Sequence, residues 1–328
     1  MFHVSRFNGI EKRQYECEIV TPMFLGGADP RSAELRVPPI KGLLRFWWRA
    51  VCGIEDIKDM AYWEGEIFGS TEKKSKVSLW IENIDAQPRL ERLPKGKKVP
   101  VEGKSYPTSI IHYLAYGFYE RQGRENVFIK SHFPVQSRFK IVLQFSKGVT
   151  MIEGALEKSL KAMIMYGGLG ARSRNGFGSL HCPILMDTKF SDYGPLKSYT
   201  SFSKYSTLFD KFKIYNKWEE ALSEIGVAYR TARLNLEPKH TWQRRSFIAM
   251  PIEAKGEKIP DDIRNGRHAK PYFLHVNKTA DGRYQGQILF LPYFYRRDAN
   301  DTKNRLVEYQ TICAEMNREI EKIMRGAS

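Results

Sequence analysis

The chain has 328 residues, with 53 Lys+Arg against 37 Asp+Glu and a formal charge of +16 at pH 7. That length suggests about two domains, and the charge favours a polyanionic partner over a cationic or neutral one. A hydrophobic fraction of 42% with 13% aromatics excludes a disordered basic tail, and no segment approaches the ~20 apolar residues of a membrane span.

In chain order, residues 15–24 alternate and carry β-branched side chains, the pattern of a strand, which Gly26 and Gly27 end. Residues 40–52 read as a helix, because Ile40, Leu44, Trp47 and Val51 form one apolar stripe. A second helical stretch covers 56–68, and 76–84 alternates as a second strand. Residues 86–120 read as an insertion, rich in Pro and Lys at its start and ending in a short helix over 108–119. A third strand at 138–145, a helix at 152–166 and a fourth strand at 177–186 complete the first half. Beyond a Ser/Tyr/Lys/Gly-rich linker at 189–206, the pattern predicts a helix at 208–225. Short strands follow at 246–252 and 271–276, then a strand at 284–291 reached through a hairpin, then a closing helix at 305–324. The expected fold class is α+β with two ferredoxin-like (RRM-like, split βαβ) domains, at 1–188 and 189–328. The fold alone does not assign a function.

The most informative run is GLGARSRNGFG, from Gly168 to Gly178, between the second packed helix and the last strand of the first half. Gly168, Gly170 and Gly176 permit a backbone that closely approaches an anion, and successive free N–H groups would make a concave anion site. Arg172 and Arg174 add planar donors suited to phosphate. The plain alternative is a helix C-cap followed by a turn. Ser173 stands where a dinucleotide fingerprint needs its third glycine, and Lys98 stands where a P-loop ending at Gly103-Lys104-Ser105 needs its first. Lys41, Arg45 and Arg49 recur at i, i+4 and i+8, with Trp48 between the arginines. A basic face carrying an aromatic suits phosphate contact and base stacking. The same cations would also serve to cover the edge of a core. Lys41, near the helix start, opposes the helix dipole and wants an anion, either Asp29 or a phosphate. Trp47 is assigned to the core. In the second half Trp242 with Arg244 and Arg245, Arg267-His268-Ala269-Lys270, and Tyr293 to Arg297 place cations beside aromatics or turns.

Three segments together carry a resemblance: TPMFLGGAD from Thr21, RVPPIKGLLRFWWRA from Arg36, and the Gly168–Gly178 run. They resemble the RAMP superfamily of CRISPR-associated proteins, and within it the first-numbered RAMP subunits of Cmr (type III-B) effector complexes. The motifs cover the N-terminal half in order, and Arg267-His268-Ala269-Lys270-Pro271 is a weaker match. The resemblance implies a non-catalytic two-domain subunit. Its partners would be guide RNA, single-stranded target RNA and the other subunits of the Cmr effector complex, with no membrane, and it would sit near the 3′ end of the guide.

The four cysteines, Cys17, Cys52, Cys182 and Cys313, lack metal-site spacing, and the histidines form no HExxH pattern. No metal or cofactor is expected, the thiols are expected to be free and buried, and the location is expected to be cytoplasmic. The readings kept open are a metal-independent RAMP-class endoribonuclease that processes guide RNA, with His268 and Lys270 as its best acid/base candidates, and a generic single-stranded RNA-binding module.

Overall fold

The computed structural model describes residues 9–29, 31–100, 106–122, 125–146, 150–186, 194–237, 241–252, 256–295 and 303–326. The chain divides into two compact units. One comprises residues 1–92 with 117–192, and the other 93–116 with 193–328. The central part of the segment read as an insertion therefore belongs to the second unit.

The first unit opens with β1 (Ile10–Ile19), α1 (Val37–Val51), α2 (Ile57–Phe68) and β2 (Val77–Asn83). The chain then supplies β3 (Lys98–Val99), β4 (Thr108–Ser109) and α3 (Ile110–Leu114) to the second unit. It returns with the hairpin β5 (Tyr119–Gln122) and β6 (Glu125–Phe128), followed by β7 (Arg138–Ser146), α4 (Thr150–Tyr166) and β8 (Leu180–His181). The main sheet is antiparallel with order β2-β7-β1-β8. β1 buries Tyr15, Cys17 and Ile19 on one face, while Glu16 and Glu18 alternate outward. α1 and α4 pack together, and Ile40, Leu44, Trp47, Leu160, Met163 and Ile164 are buried there. Trp47 is 1% exposed, which places it in the core as the apolar stripe requires.

Two strands of the first unit differ from the sequence expectation. β1 starts five residues before Tyr15, because Ile10–Glu11 continue the ladder with Phe145–Ser146. It also ends at Ile19, because the chain turns away and Met23 pairs with Phe133 instead. The fourth strand is only Leu180–His181, and a 3₁₀ turn at Pro183–Leu185 follows it, where Pro183 has no N–H for a ladder.

The second unit continues with β9 (Thr207–Phe209), β10 (Ile214–Tyr215), α5 (Trp218–Leu234), α6 (Asp261–Asn265), β11 (Tyr272–Lys278), β12 (Tyr284–Phe290) and α7 (Lys303–Met324). Its sheet runs β10-β12-β11, and β9 also pairs with β12. α5 and α7 pack together, and Tyr272 of β11 donates to Asn317 of α7 at 2.8 Å. Leu114 of α3 lies against Gly226 of α5, where a Cβ would come within 2.8 Å of it.

The helix expected at 208–225 is a correction. Thr207–Phe209 pairs with β12, and the helix begins only at Trp218, where Glu219 and Glu220 complement its N-terminal dipole. The strand expected at 246–252 is a 3₁₀ turn at Arg245–Phe247, and of that run only Met250 makes a ladder-type bridge, to His268. The expectation of uniformly buried thiols needs one change, since Cys17, Cys182 and Cys313 are buried but Cys52 is half-buried.

His132 is 4% exposed and lies against Phe24 at 5.2 Å and Phe128 at 5.9 Å. Burial lowers its pKa below the usual 6.5. The unfolded chain therefore takes up a proton that the folded chain resists, so stability falls as pH drops through 6.5. Urea denaturation at pH 7.5 and 5.5 should show this loss, and His132→Phe should reduce it.

Candidate nucleic-acid interface

α1 begins with Pro38 and Pro39 in its first turn, after Arg36 as its uncapped flanking residue. Its outward row carries Lys41, Arg45 and Arg49, as the spacing requires. Two of these cations are occupied within the protein. Glu64 of α2, 9% exposed, pairs with Arg45 at 2.8 Å and with Arg49 at 2.9 Å. Arg45 also donates to the Gly69 carbonyl at 2.8 Å, which satisfies the C-terminal end of α2. Arg45 and Arg49 thus clamp α2 to α1, and a row of three phosphate contacts is not what the side chains form. Trp48 is corrected more fully. It is 2% exposed and meets Phe68 edge-on at 6.3 Å, so it is a core ring with no face open to a base. Lys41 is the remaining cation of the row. Burial, with Arg45 as a secondary cause, lowers its pKa. Asp29, its possible partner, accepts the Arg31 N–H at 2.9 Å. Replacing Glu64 with Ala leaves two guanidinium groups without their carboxylate, and should destabilise the first unit by roughly 1–2 kcal/mol in urea denaturation.

Residues 167–179 join α4 to β8 through turns. Five N–H groups of the run are used within the protein. Leu169 donates to Gly178, Ala171 to Phe24, Asn175 to Arg172, Gly176 to Ser173 and Gly178 to Pro22, all at 2.8–3.1 Å. Thr21 Oγ1 donates to the Gly176 carbonyl at 2.7 Å and accepts the Ser179 N–H at 2.9 Å. The glycines serve this docking. Gly170 has φ +90, and a Cβ there would lie 2.4 Å from the Phe24 carbonyl oxygen. Gly178 has φ +67, with the Leu169 oxygen at 2.0 Å from such an atom. Gly168 and Gly176 are buried in the same contact. The segment is therefore fastened backbone to backbone onto residues 20–25, and its cationic side chains, rather than a cradle of amides, are what it presents.

Arg172 is exposed and has φ +61, a left-handed conformation uncommon for a residue with a Cβ. Its guanidinium lies 5.9 Å from the Phe118 ring, and that of Arg174 lies 5.3 Å from the Phe46 ring. Lys130 lies 5.5 Å from the Phe118 ring. An open cleft of about 440 Å³ adjoins this group, lined in part by Phe24, Leu25, Pro39, Leu43, Lys130 and Gly170. Lys130, Phe118 and Phe46 were not singled out from the sequence. Nothing local marks Lys130, which comes to the cleft because the following residues, His132 and Phe133, bridge to Arg89 and Met23. Arg172→Gly should melt at or above the temperature of the parent chain, since release of left-handed strain offsets the added freedom of the unfolded chain. Arg172→Ala keeps the strain and should melt below Arg172→Gly, by thermal denaturation followed by circular dichroism.

In the second unit most of the described residues of the basic clusters contact groups of the protein itself. Arg245 is 6% exposed, pairs with Glu237 at 3.4 Å and donates to the Thr241 carbonyl at 2.5 Å. Arg244 pairs with Glu315 at 2.5 Å. His268 Nε2 lies 2.7 Å from the Phe247 carbonyl oxygen, and its Nδ1 bonds to the Tyr293 hydroxyl. Lys270 stands 4.2 Å from the Tyr229 ring. Arg267 is exposed. The cluster from Arg267 to Lys270 thus holds aromatic and backbone groups together, with Arg267 as its outward cation. Arg296 and Arg297 lie outside the described residues. Among the described residues no group of three or more His, Cys, Asp or Glu is placed to hold a metal ion. None of the described helices is long and apolar enough to cross a membrane.

Residues 16–181 match the RAMP superfamily, a span of half the chain, and the chain belongs to that superfamily. Its relatives are more particular. The CRISPR system Cmr subunit Cmr1-2 of Pyrococcus furiosus is 33% identical over 191 residues, which cover 53% of this chain and 96% of that protein. Cmr1-1 of the same organism is 27% identical over 196 residues, covering 58% of this chain and 54% of that protein. The crystal structure of Cmr1 from Pyrococcus furiosus in its apo form aligns with a TM-score of 0.51 and 22% identity, covering 94% of this chain and 96% of that one. A chain of the type III-B Cmr-beta complex bound to cognate target RNA, seen by cryo-EM, aligns with a TM-score of 0.54 and 14% identity, covering 95% and 100%. At these identities the two structures speak to the fold.

Proposed function

We propose that the chain is a subunit of a type III-B CRISPR effector complex, working in defence against invading nucleic acid. In this reading it holds guide RNA and single-stranded target RNA near the 3′ end of the guide, beside other Cmr subunits, and does not cut them. The observation that carries this reading is the likeness to Cmr1-2, which spans nearly all of that protein. The Arg172–Arg174 segment, which that family likeness includes, supplies the chemistry. Two planar cations, Arg172 exposed and Arg174 half-buried, are carried on a run bonded to residues 20–25 at Phe24 and Pro22, which suits phosphate contact without sequence readout. Arg267 would add a contact from the second unit.

Two ferredoxin-like domains fit the same reading. In the first unit the order β2-β7-β1-β8, with α1 following β1 and α4 following β7, is the strand order of a split βαβ sheet. In the second, the sequence β10-α5-β11-β12-α7 with order β10-β12-β11 supports a shortened version. Holding rather than cutting is supported by His268. Both of its ring nitrogens are engaged, with Phe247 and Tyr293, so the best acid/base candidate serves packing.

Gel-shift titration of fluorescent single-stranded RNA, with a denaturing gel of the same samples, tests this. Binding should weaken with salt, by about 0.7 log units per tenfold salt for each phosphate neutralised, and the RNA should stay intact with or without Mg²⁺. The Arg172→Ala/Arg174→Ala double variant should lower both the affinity and the salt slope. Specific cleavage lost in His268→Ala would establish the ribonuclease alternative.

A further inference from the structure

Two thiols of the first unit face each other across its sheet. β1 and β8 pair Ile19 with Leu180 and Glu18 with His181. One further step of the same register sets Cys17 opposite Cys182, whose backbone is still extended at φ −139 and ψ 106. Val20 donates to the Ser179 carbonyl at 2.8 Å, which marks Val20–Ser179 as a position of the hydrogen-bonded type. The two types alternate along an antiparallel ladder, so Cys17–Cys182 falls at a non-hydrogen-bonded position. Opposed Cα atoms there are about 4.5 Å apart, inside the roughly 4.4–6.8 Å over which a disulfide closes. Both side chains are buried, on the face that holds Tyr15, Ile19 and Leu180.

The two side chains also reach one another. A hydrogen bond between the thiols pushes Cys17 up, with burial adding to the rise, and draws Cys182 down. The backbone N–H groups of Ile184 and Leu185 lower Cys182 further, against its burial. Cys182 is thus the better thiolate, and Cys17 keeps its proton. β8 is two residues long and lies at the edge of the sheet, so opening of this edge uncovers the pair to small molecules. The other cysteines are placed differently. Cys52 donates to the Arg49 carbonyl at 3.4 Å, and Cys313 lies in the second unit beside Tyr272 and Tyr309.

We propose that Cys17 and Cys182 form a thiol–disulfide exchange site, which low-molecular-weight disulfides oxidise to a bond stapling β1 to β8. The Cys182 thiolate attacks one sulfur of the small disulfide, forming a mixed disulfide and expelling one thiolate. Cys17 then gives up its proton, attacks the Cys182 sulfur and expels the second thiolate. Two protein thiols lose two electrons, one small disulfide is reduced to two thiols, and the two cysteine protons end on those thiols. The bond lies next to the Val20–Ser179 hydrogen bond and the Thr21 bonds to Gly176 and Ser179, which anchor the glycine run. The oxidised chain therefore holds that end of the run shut.

Mass spectrometry tests this on the full chain. The folded protein is incubated overnight in mixtures of reduced and oxidised glutathione, quenched with acid, denatured and treated with N-ethylmaleimide before peptide mapping. The parent should carry a Cys17–Cys182 link. Cys17→Ala should stop at glutathione on Cys182, because no resolving thiol follows, and Cys182→Ala should leave Cys17 without glutathione. The linked parent should melt about 5–10 °C above the reduced one, and dithiothreitol should reverse the shift. A second arm refolds the denatured parent in the same mixtures, where burial does not limit access. A link absent from both arms overturns the pairing. A link that forms only on refolding overturns exchange in the folded protein. Glutathione on Cys17 rather than Cys182 overturns the order of attack, and a link without a higher melting temperature overturns the staple. The parent alone decides the pairing, so a variant that fails to fold does not obscure it.

Discussion

The backbone seam between residues 20–25 and residues 169–179 is the constraint on which the first unit depends. It begins where β1 leaves its sheet, with Val20 N–H donating to the Ser179 carbonyl, and continues through the pairs Pro22–Gly178 and Phe24–Ala171. Thr21 closes it from the side by bonding to both Gly176 and Ser179. Main chains this close leave no volume for a Cβ at Gly170, which faces Phe24, while Gly178 is closed by Leu169 of its own run. The seam explains why the glycine run accompanies a segment far from it in the chain. Each is the wall of the other, and the arginines between the glycines, Arg172 exposed and Arg174 half-buried, are carried on a support that does not have to be ordered when a ligand arrives.

The cations of α1 show how similar residues divide between building the fold and facing a partner. Arg45 and Arg49 share one nearly buried carboxylate, Glu64, and this clamp sets α2 against α1. Arg172, Arg174 and Lys130 instead lie near aromatic rings, contacts that orient a guanidinium or ammonium without neutralising it. A cation paired with a carboxylate must lose that partner before it can bind phosphate. A cation over an aromatic ring is oriented by that ring.

Membership of the RAMP superfamily is consistent with this division, because the matched span of residues 16–181 contains the seam, the clamp and the cleft together. The second unit builds differently. Its buried cation Arg245 pairs with Glu237, and His268 ties the chain at Phe247 to Tyr293, so its basic runs serve mainly its own packing.

Much of the fold was legible in the sequence, because period and composition are local properties. The stripe Ile40–Leu44–Trp47 defined α1, alternation defined β2 and β7, and GLGARSRNGFG marked a backbone that needed glycine. Net charge and the three motif segments pointed to the superfamily. What the tertiary structure alone decided was who meets whom. Glu64 lies fifteen residues beyond Arg49 with no local mark of pairing, yet it turns two expected phosphate ligands into a clamp. Trp48 looked outward by its neighbours Arg45 and Arg49, but Phe68 covers it. Residues 208 and 209 were read as the start of a helix and became part of a strand because β12 offered them a ladder. Lys130 reached the cleft only through pairings of its neighbours with Arg89 and Met23. Sequence periodicity specifies which face of an element is apolar, but the partner of a charged or aromatic side chain is set by contacts between segments distant in the chain, which only the folded arrangement brings together.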